Sequence, residues 1–305
     1  MALKRMFLED SRLRPTWRAA SYLIAYLLAS LAIQIPLGIL IAVAIISTGG
    51  VIDESTLVQL QSSLPLLFLG TMSSLAVIVP LTYLFRRYLD RESWLDLGLR
   101  RGTGWIGHTI AGLALGTVLI GLIFLAQWAL GWLTIEGFRW QVEAPLWVLI
   151  SLAAYLLNFV AVAFYEELAF RGYVLQNLDL DWATAVALVI SSVLFGLFHA
   201  LNPHATWLAL FNIFLAGVVL AACYLATRNL WLAMAFHFSW NFVQGPLLSF
   251  PVSGLHMPGL LLTTTGGNPL VTGGAFGPEG GLLGTAVLCL TLPLLYVWRQ
   301  RASVT

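Results

Sequence analysis

The chain has 305 residues, of which 59% are hydrophobic and only 10% are charged, and its mean hydropathy is +0.88. Soluble proteins carry about 25% charged residues, so this composition excludes a water-soluble fold and indicates a polytopic membrane protein. The formal net charge of +1 predicts no nucleic-acid partner. The two cysteines, Cys223 and Cys289, lie in apolar stretches and predict no disulfide framework.

The predicted elements are membrane-spanning helices. A span needs about 20 mostly apolar residues, and backbone groups in lipid must form their hydrogen bonds internally. The alternating ten-residue segments of a membrane barrel are absent. In chain order we predict eight helices, over residues 19–46, 64–85, 105–134, 145–171, 183–202, 207–226, 230–245 and 282–298. The predicted fold class is an all-α polytopic membrane protein, with residues 1–305 as a single membrane domain.

Charged loop residues predict the orientation. Arginines concentrate in loop 86–101, and the N-terminal segment adds Lys4 and Arg5, whereas the opposite loops carry acidic residues such as Glu279. The positive-inside rule then places both termini in the cytoplasm, which an even number of spans permits. Residues 251–281 are rich in glycine and proline, a loop signal. We interpret this segment as a plain external connection, with a lid over a site as the alternative.

The first polar cluster, Glu166-Glu167-Leu-Ala-Phe-Arg171, lies inside the fourth predicted helix. An ionisable side chain within a span costs roughly 2.5–3.5 kcal/mol on insertion scales, so adjacent carboxylates there indicate a functional site. On a helix, Glu167 and Arg171 stand at i and i+4 and can form an ion pair. Glu166 points about one hundred degrees away and stays free for general-base chemistry. A charged helix end in the cytoplasm is the structural alternative.

Two further clusters lie on later helices. Phe195-Gly-Leu-Phe-His199 is near the end of the fifth predicted helix, and His237-Phe-Ser-Trp-Asn241 lies within the seventh. His237 and Asn241 stand at i and i+4 and share one face, so this pair can donate hydrogen bonds to a developing oxyanion. Taken alone, each residue is also compatible with a structural role, such as a polar contact between helices. Three neighbouring segments with polar groups favour one shared site.

The combination predicts hydrolysis. A glutamate and a histidine can activate water, while a second histidine and an asparagine stabilise the tetrahedral intermediate. The sequence contains neither the His-Glu-x-x-His pattern of zinc proteases nor the Gly-x-Ser-x-Gly pattern of serine hydrolases. Straight, upright helices over the predicted spans would leave the clusters about 10 Å apart in depth. We therefore expect a tilted or bent helix near the site.

In this order on successive helices, Glu-Glu-x-x-x-Arg (166–171), Phe-x-x-x-His (195–199) and His-x-x-x-Asn (237–241) resemble the CPBP family. This family comprises the CAAX prenyl endoproteases and the bacteriocin-processing or Abi proteins. The resemblance covers about residues 145–245, and all three motifs are complete. It implies an eight-helix intramembrane endopeptidase with its catalytic core in that segment. From the overall style of the sequence, we expect a bacterial protein that is located in the plasma membrane.

The resemblance also implies roles for individual residues. Glu166 would activate water with His199 as its partner, and His237 with Asn241 would form the oxyanion hole. The Glu167–Arg171 pair would support them. The cofactor is either none or one divalent, zinc-like metal ion. In the metal version, the glutamate and two histidines, Glu166, His199 and His237, would hold the ion and leave a fourth position for water.

The expected partner is a membrane-associated peptide or protein in the lipid bilayer. It would be lipidated if the prenyl specificity in the family name applied, but the motifs carry only the hydrolytic machinery, so that step is a fold-level analogy. An ion or proton transporter is the first competing class, because buried Glu and His chains also mark transport paths. A non-catalytic immunity or scaffold protein is the second. Clustering of ionisable residues in 166–241 favours a site over a path.

Overall fold

The structure is a computed structural model that describes residues 6–9, 12–53, 56, 60 and 63–302. Lys4 and Arg5, which contribute to the orientation prediction, lie outside the described residues. The helices are α1 (Pro15–Ser47), α2 (Leu64–Leu84), α3 (Trp105–Ala129), α4 (Pro145–Glu167), α5 (Leu175–Asp181), α6 (Thr184–Phe198), α7 (Trp207–Thr227), α8 (Trp231–Phe242), α9 (Pro269–Thr272) and α10 (Leu282–Ala302). The strands are β1 (Leu8–Glu9), β2 (Arg12–Leu13), β3 (Leu133–Phe138) and β4 (Leu261–Thr265). π-Helical turns continue three helices, over Phe85–Asp90, Leu168–Val174 and Val243–Leu247.

The structure is 75% helical, and a helix lies at each of the eight predicted positions. Among the described residues, five helices are long and apolar enough to cross a membrane: α1, α2 with its π-turn, α3, α7 and the continuous helix Pro145–Asp181. Shorter apolar helices lie over Thr184–Phe198 and Leu282–Trp298. The protein is therefore an integral multi-pass membrane protein of the all-α class. The number of crossings and the cytoplasmic location of both termini stay predictions.

The predicted end of the third helix, at residue 134, is wrong. The helix ends at Ala129, and the chain turns at Gly131, which has a φ of 71°. The following strand β3 pairs antiparallel with β4, with Leu133 opposite Thr265. Because β4 belongs to the Gly/Pro-rich segment 251–281, this small sheet ties that segment to the end of α3.

Helix α8, which carries the third motif, packs against α3 with little space between the backbones. A Cβ atom at Gly112 would lie 2.5 Å from the carbonyl oxygen of Leu232, and one at Gly116 would lie 2.6 Å from that of Phe236. Small residues four positions apart let membrane helices approach this closely. The close approach fixes the rotation of α8 and leaves His237 on the side that faces α4.

The core surrounds the π-turn Leu168–Val174, of which every residue is buried. Within it, Tyr173 stacks on Tyr22 of α1 at 4.4 Å between ring centroids, and its hydroxyl donates to Asp90 at 3.3 Å. Asp90 also accepts hydrogen bonds from two arginines, Arg18 on α1 and Arg86 beyond α2. This network joins α1 and α2 to the helix that carries the first motif.

Candidate active site

A cavity of about 650 Å³ lies among α1, α2, α4, α6, α7 and α8. Glu166, His199, His237 and Asn241, the residues predicted as catalytic, all line it. Much of the remaining lining is apolar, from α1, α2 and α7. The structure therefore brings the polar ends of the three motifs to one space that also has apolar walls.

Glu167 lies behind the cavity wall and is fully buried. Arg171 Nη1 donates to Glu167 Oε1 at 3.0 Å, so the predicted i,i+4 pair is present, and Arg171 Nη2 donates to the carbonyl oxygen of Gly217 at 3.2 Å. His237 Nδ1 lies 2.9 Å from the same Glu167 oxygen. A carboxylate beside a guanidinium accepts hydrogen bonds, so the Nδ1 atom carries the proton. Glu167 thus also orients His237, which leaves the Nε2 atom of that ring available.

Glu166 faces this available nitrogen across a gap. Its Oε2 atom is 3.9 Å from His237 Nε2, too far for a direct hydrogen bond. The same Oε2 atom is buried and has no hydrogen-bond partner among the residues that the structure describes. Buried polar atoms in folded proteins nearly always have a partner. Because 3.9 Å is less than two hydrogen-bond lengths, a water molecule or a polar group of a substrate contacts both atoms only from beside the line that joins them.

Phe195 links the second motif to the other two. The Arg171 guanidinium lies 4.2 Å from the centroid of the Phe195 ring, and the His237 ring meets this ring edge-on at 6.2 Å. The His199 ring contacts the Phe195 ring with 4.7 Å between the centroids and a tilt of 54° between the planes. His199 Nδ1 donates to the carbonyl oxygen of Phe195 at 2.8 Å. His199 therefore has a fixed orientation, with its Nε2 atom free of that bond.

Glu279 also lines the cavity, although the sequence places it in an external loop. Its carboxylate is buried and accepts hydrogen bonds from Trp240 Nε1 at 3.2 Å and from Ser253, whose backbone nitrogen and Oγ lie at 2.7 and 2.9 Å. Burial raises the pKa of Glu279 above its usual range, against the opposing effect of the Ser253 hydrogen bonds. Segment 251–281 is thus part of the cavity wall, and its interpretation as a plain connection is wrong. A lone acidic residue within a Gly/Pro-rich run is the signal in the sequence.

Asn158 is a second cavity residue that the sequence analysis missed. It lies two turns before Glu166 on α4, and its side-chain oxygen has no hydrogen-bond partner within the described chain. The available signal is the spacing of residues 158, 162 and 166, which follow one side of a helix at steps of four.

The predicted metal set is not assembled. Among the described residues, no group of three His, Cys, Asp or Glu side chains is placed to hold a metal ion. Glu166, His199 and His237 all line the cavity without forming such a group, and the zinc-like alternative stays a prediction.

A family model described as "Type II CAAX prenyl endopeptidase Rce1-like" matches residues 145–243. The matched segment contains all three motifs and every catalytic candidate. No curated protein matches the chain. The domain supports a protease role. The match over residues 145–243 therefore supports the CPBP family that the three motifs indicate.

Proposed function

We propose that this protein is an intramembrane endopeptidase that hydrolyses a peptide bond in a membrane-associated protein or peptide. The observation that carries the proposal is the convergence of Glu166, His199, His237 and Asn241 on one cavity, with Glu166 and His237 only 3.9 Å apart. The Rce1-like domain supports the same reaction class. The apolar lining suits a substrate that comes from the bilayer, which we expect to be a bacterial plasma membrane.

Glu166 is the general base in this proposal. Its Oε2 atom takes a proton from a water molecule, and His199 Nε2 orients that water while Nδ1–H stays on the Phe195 carbonyl. The water oxygen attacks the scissile carbonyl carbon, and an electron pair moves onto the carbonyl oxygen. General-base catalysis of this kind contributes typically 10²–10⁴-fold to the rate.

Asn241 and His237 stabilise the resulting oxyanion. Asn241 donates from Nδ2, and His237 donates from Nε2 when its ring carries both protons, with Nδ1–H held by Glu167. Donors preorganised in a water-poor site are worth more than the same donors in water. When the intermediate collapses, the carbon–nitrogen bond breaks and the leaving nitrogen takes the proton from Glu166. The products are one carboxylic acid and one amine.

A prenylated, CAAX-type peptide is the more specific version of the substrate proposal, and the description of the family suggests it. An unmodified transmembrane peptide is the broader version. Both offer apolar surface to the cavity, so cleavage assays with both peptides separate the two versions.

The test is cleavage by the purified full-length protein in liposomes, with product masses that identify the new termini. Glu166→Gln keeps the shape of the side chain but removes the base, so we expect a rate loss of roughly 10² or more with unchanged melting. Glu92→Gln, outside the cavity, is the matched control and should keep wild-type activity. A chelator should leave the rate unchanged because the described side chains do not form a three-ligand set.

Full activity of Glu166→Gln would contradict the proposal, as would the absence of cleavage of both peptides. Glu166-dependent proton uptake by the liposomes without cleavage would favour the transporter class instead.

A further inference from the structure

Asn158 is a buried polar residue that the proposed chemistry does not use. Its side chain lies in the cavity wall, and the residue is only 2% exposed. Its Oδ1 atom accepts no hydrogen bond from any residue in the described part of the chain. A buried acceptor without a donor is unfavourable by about 1–3 kcal/mol. In a cavity wall, this missing donor points to a ligand.

Helix α4, which carries Asn158, and helix α8, which carries Asn241, run antiparallel. Glu167 on α4 contacts His237 on α8, and farther along, the apolar cluster around Phe159 includes Phe242. Residue numbers therefore fall along α4 as they rise along α8. Going from Glu166 to Asn158 is the same direction as going from His237 to Asn241.

The helix rise sets the spacing of the two carboxamides. At 1.5 Å per residue, Asn241 lies about 6 Å from His237 along α8, and Asn158 lies about 12 Å from Glu166 along α4. Asn158 is thus about 6 Å beyond Asn241 in the same direction. An extended peptide rises about 3.3 Å per residue, and residues two positions apart present their backbone groups to the same side. The spacing of the carboxamides matches this repeat of about 6.6 Å.

We infer that Asn158 is a binding residue for the main chain of an extended peptide substrate. When the scissile carbonyl oxygen accepts a hydrogen bond from Asn241 Nδ2, the backbone N–H two residues away along the peptide donates to Asn158 Oδ1. This inference rests on the proposed function. It identifies the substrate as an extended chain in the cavity, and it predicts tolerance for different side chains at the contacted residue, because the contact is to the backbone.

The test starts from the peptide, prenylated or unmodified, that the wild type cleaves. Two variants of this peptide are made, each with one backbone amide replaced by an ester. In one variant the ester is two residues before the scissile residue, and in the other it is two residues after it. The ester lacks the N–H donor. One of the two esters should lower kcat/KM about tenfold in the wild type, the effect of one hydrogen bond. The Asn158→Ala protein should show a kcat/KM for the amide peptide that is lower than the wild-type value by the same factor. Its kcat/KM should be the same for the amide peptide and for that ester peptide.

Asn177→Ala is the matched control. Asn177 lies on α5, the continuation of the same helix; it is also buried, its Oδ1 atom is also without a partner, and it does not line the cavity. This variant should keep the full ester effect. Because Asn177 donates to the Tyr173 carbonyl at 3.1 Å, Asn158→Ala should melt no lower than Asn177→Ala. An equal ester effect in wild type and Asn158→Ala, or no ester effect in the wild type, would overturn the inference.

Binding separates this inference from the proposed function. Fluorescence anisotropy can follow the same labelled peptides on the Glu166→Gln protein, where cleavage is not needed. The ester peptide should bind the Glu166→Gln protein more weakly than the amide peptide does. The protein that carries both Glu166→Gln and Asn158→Ala should bind the two peptides equally. If the ester weakens binding to both proteins by the same factor, the contact is rejected. If the wild type cleaves neither peptide while the binding difference persists, the proposed function fails and the Asn158 contact stands.

Discussion

The two sides of the cavity are built differently. The motif wall, formed by Glu166, His199, His237 and Asn241, is backed by a buried network in which Glu167 holds both Arg171 and His237. The first-helix wall, residues 34–45 of α1, is apolar except for Gln34. The most apolar 18-residue window of α1 contains no buried residue.

The difference follows from what each side contains. A charge or hydrogen-bonding group removed from water must be held by partners, because an unpaired one is unfavourable by several kcal/mol. A wall of apolar side chains carries no such requirement and keeps room to adapt. We therefore expect substitutions in or behind the motif wall to reduce stability or turnover, and substitutions in the first-helix wall to change only the fit of the substrate.

Arg171→Ala should have the largest effect and would most directly break the comparison. It leaves Glu167 buried without its cation, which costs about 3–5 kcal/mol of stability, measurable as a lower melting temperature in detergent. Arg100→Ala is the control, because Arg100 also follows an acid, Asp96, by four residues but at an exposed position. That variant should melt like the wild type. If the Arg171→Ala protein is as stable as the wild type, the buried Glu167–Arg171 pair does not stabilise the motif wall.

Asn241→Ala should lower turnover by roughly 10²–10³, the usual loss for one oxyanion donor, and leave melting unchanged. Ser239→Ala is the control on the same helix, because Ser239 faces α3 and donates to the Gly112 carbonyl. Single-turnover rates of both variants compare the side of α8 that faces the cavity with the side that faces α3, and only the Asn241→Ala rate should fall. Full turnover by Asn241→Ala would mean that this carboxamide does not contact the reacting carbonyl.

Glu279→Gln should destabilise the protein by about 1–3 kcal/mol, because an amide offers one acceptor atom to donors from both Trp240 and Ser253. Burial raises the folded pKa of Glu279, so the folded state binds more protons between the ordinary carboxyl pKa and this higher value. The wild type should therefore lose stability as the pH rises through that window, and Glu279→Gln should lack this slope. Glu136→Gln, at an exposed position on β3, should behave like the wild type, and an identical slope in both variants would contradict the assignment.

Gly38→Leu should have the smallest effect and would sharpen the comparison. Gly38 lines the cavity, and a Cβ atom there would meet nothing within 4 Å. We expect normal melting, unchanged kcat and a KM raised a few-fold, since an interaction common to ground and transition states affects binding alone. Gly121→Leu on α3 is the control, because it also has open space but lies outside the cavity lining. A large loss of stability in Gly38→Leu would contradict the adaptable first-helix wall.

Local chemistry made the helices and the motif pairs predictable. The sixth helix was predicted over 207–226 and lies over Trp207–Thr227, because apolar composition and internal backbone hydrogen bonding act within a single segment. The Glu167–Arg171 pair follows from the four-residue spacing of one helix. The end of α3 was missed, since Gly131 redirects an apolar stretch into a strand.

The sequence by itself therefore determined the membrane class, the apolar helices and the motif residues. Only the tertiary structure decided which of these residues meet, because contacts between helices depend on their rotation and spacing. The close approach of α8 to α3 at Gly112 and the hydrogen bond between His237 and Glu167 are both of this kind. The position of Glu279 in the cavity wall has the same origin, since burial of a polar residue is a property of its neighbours in space.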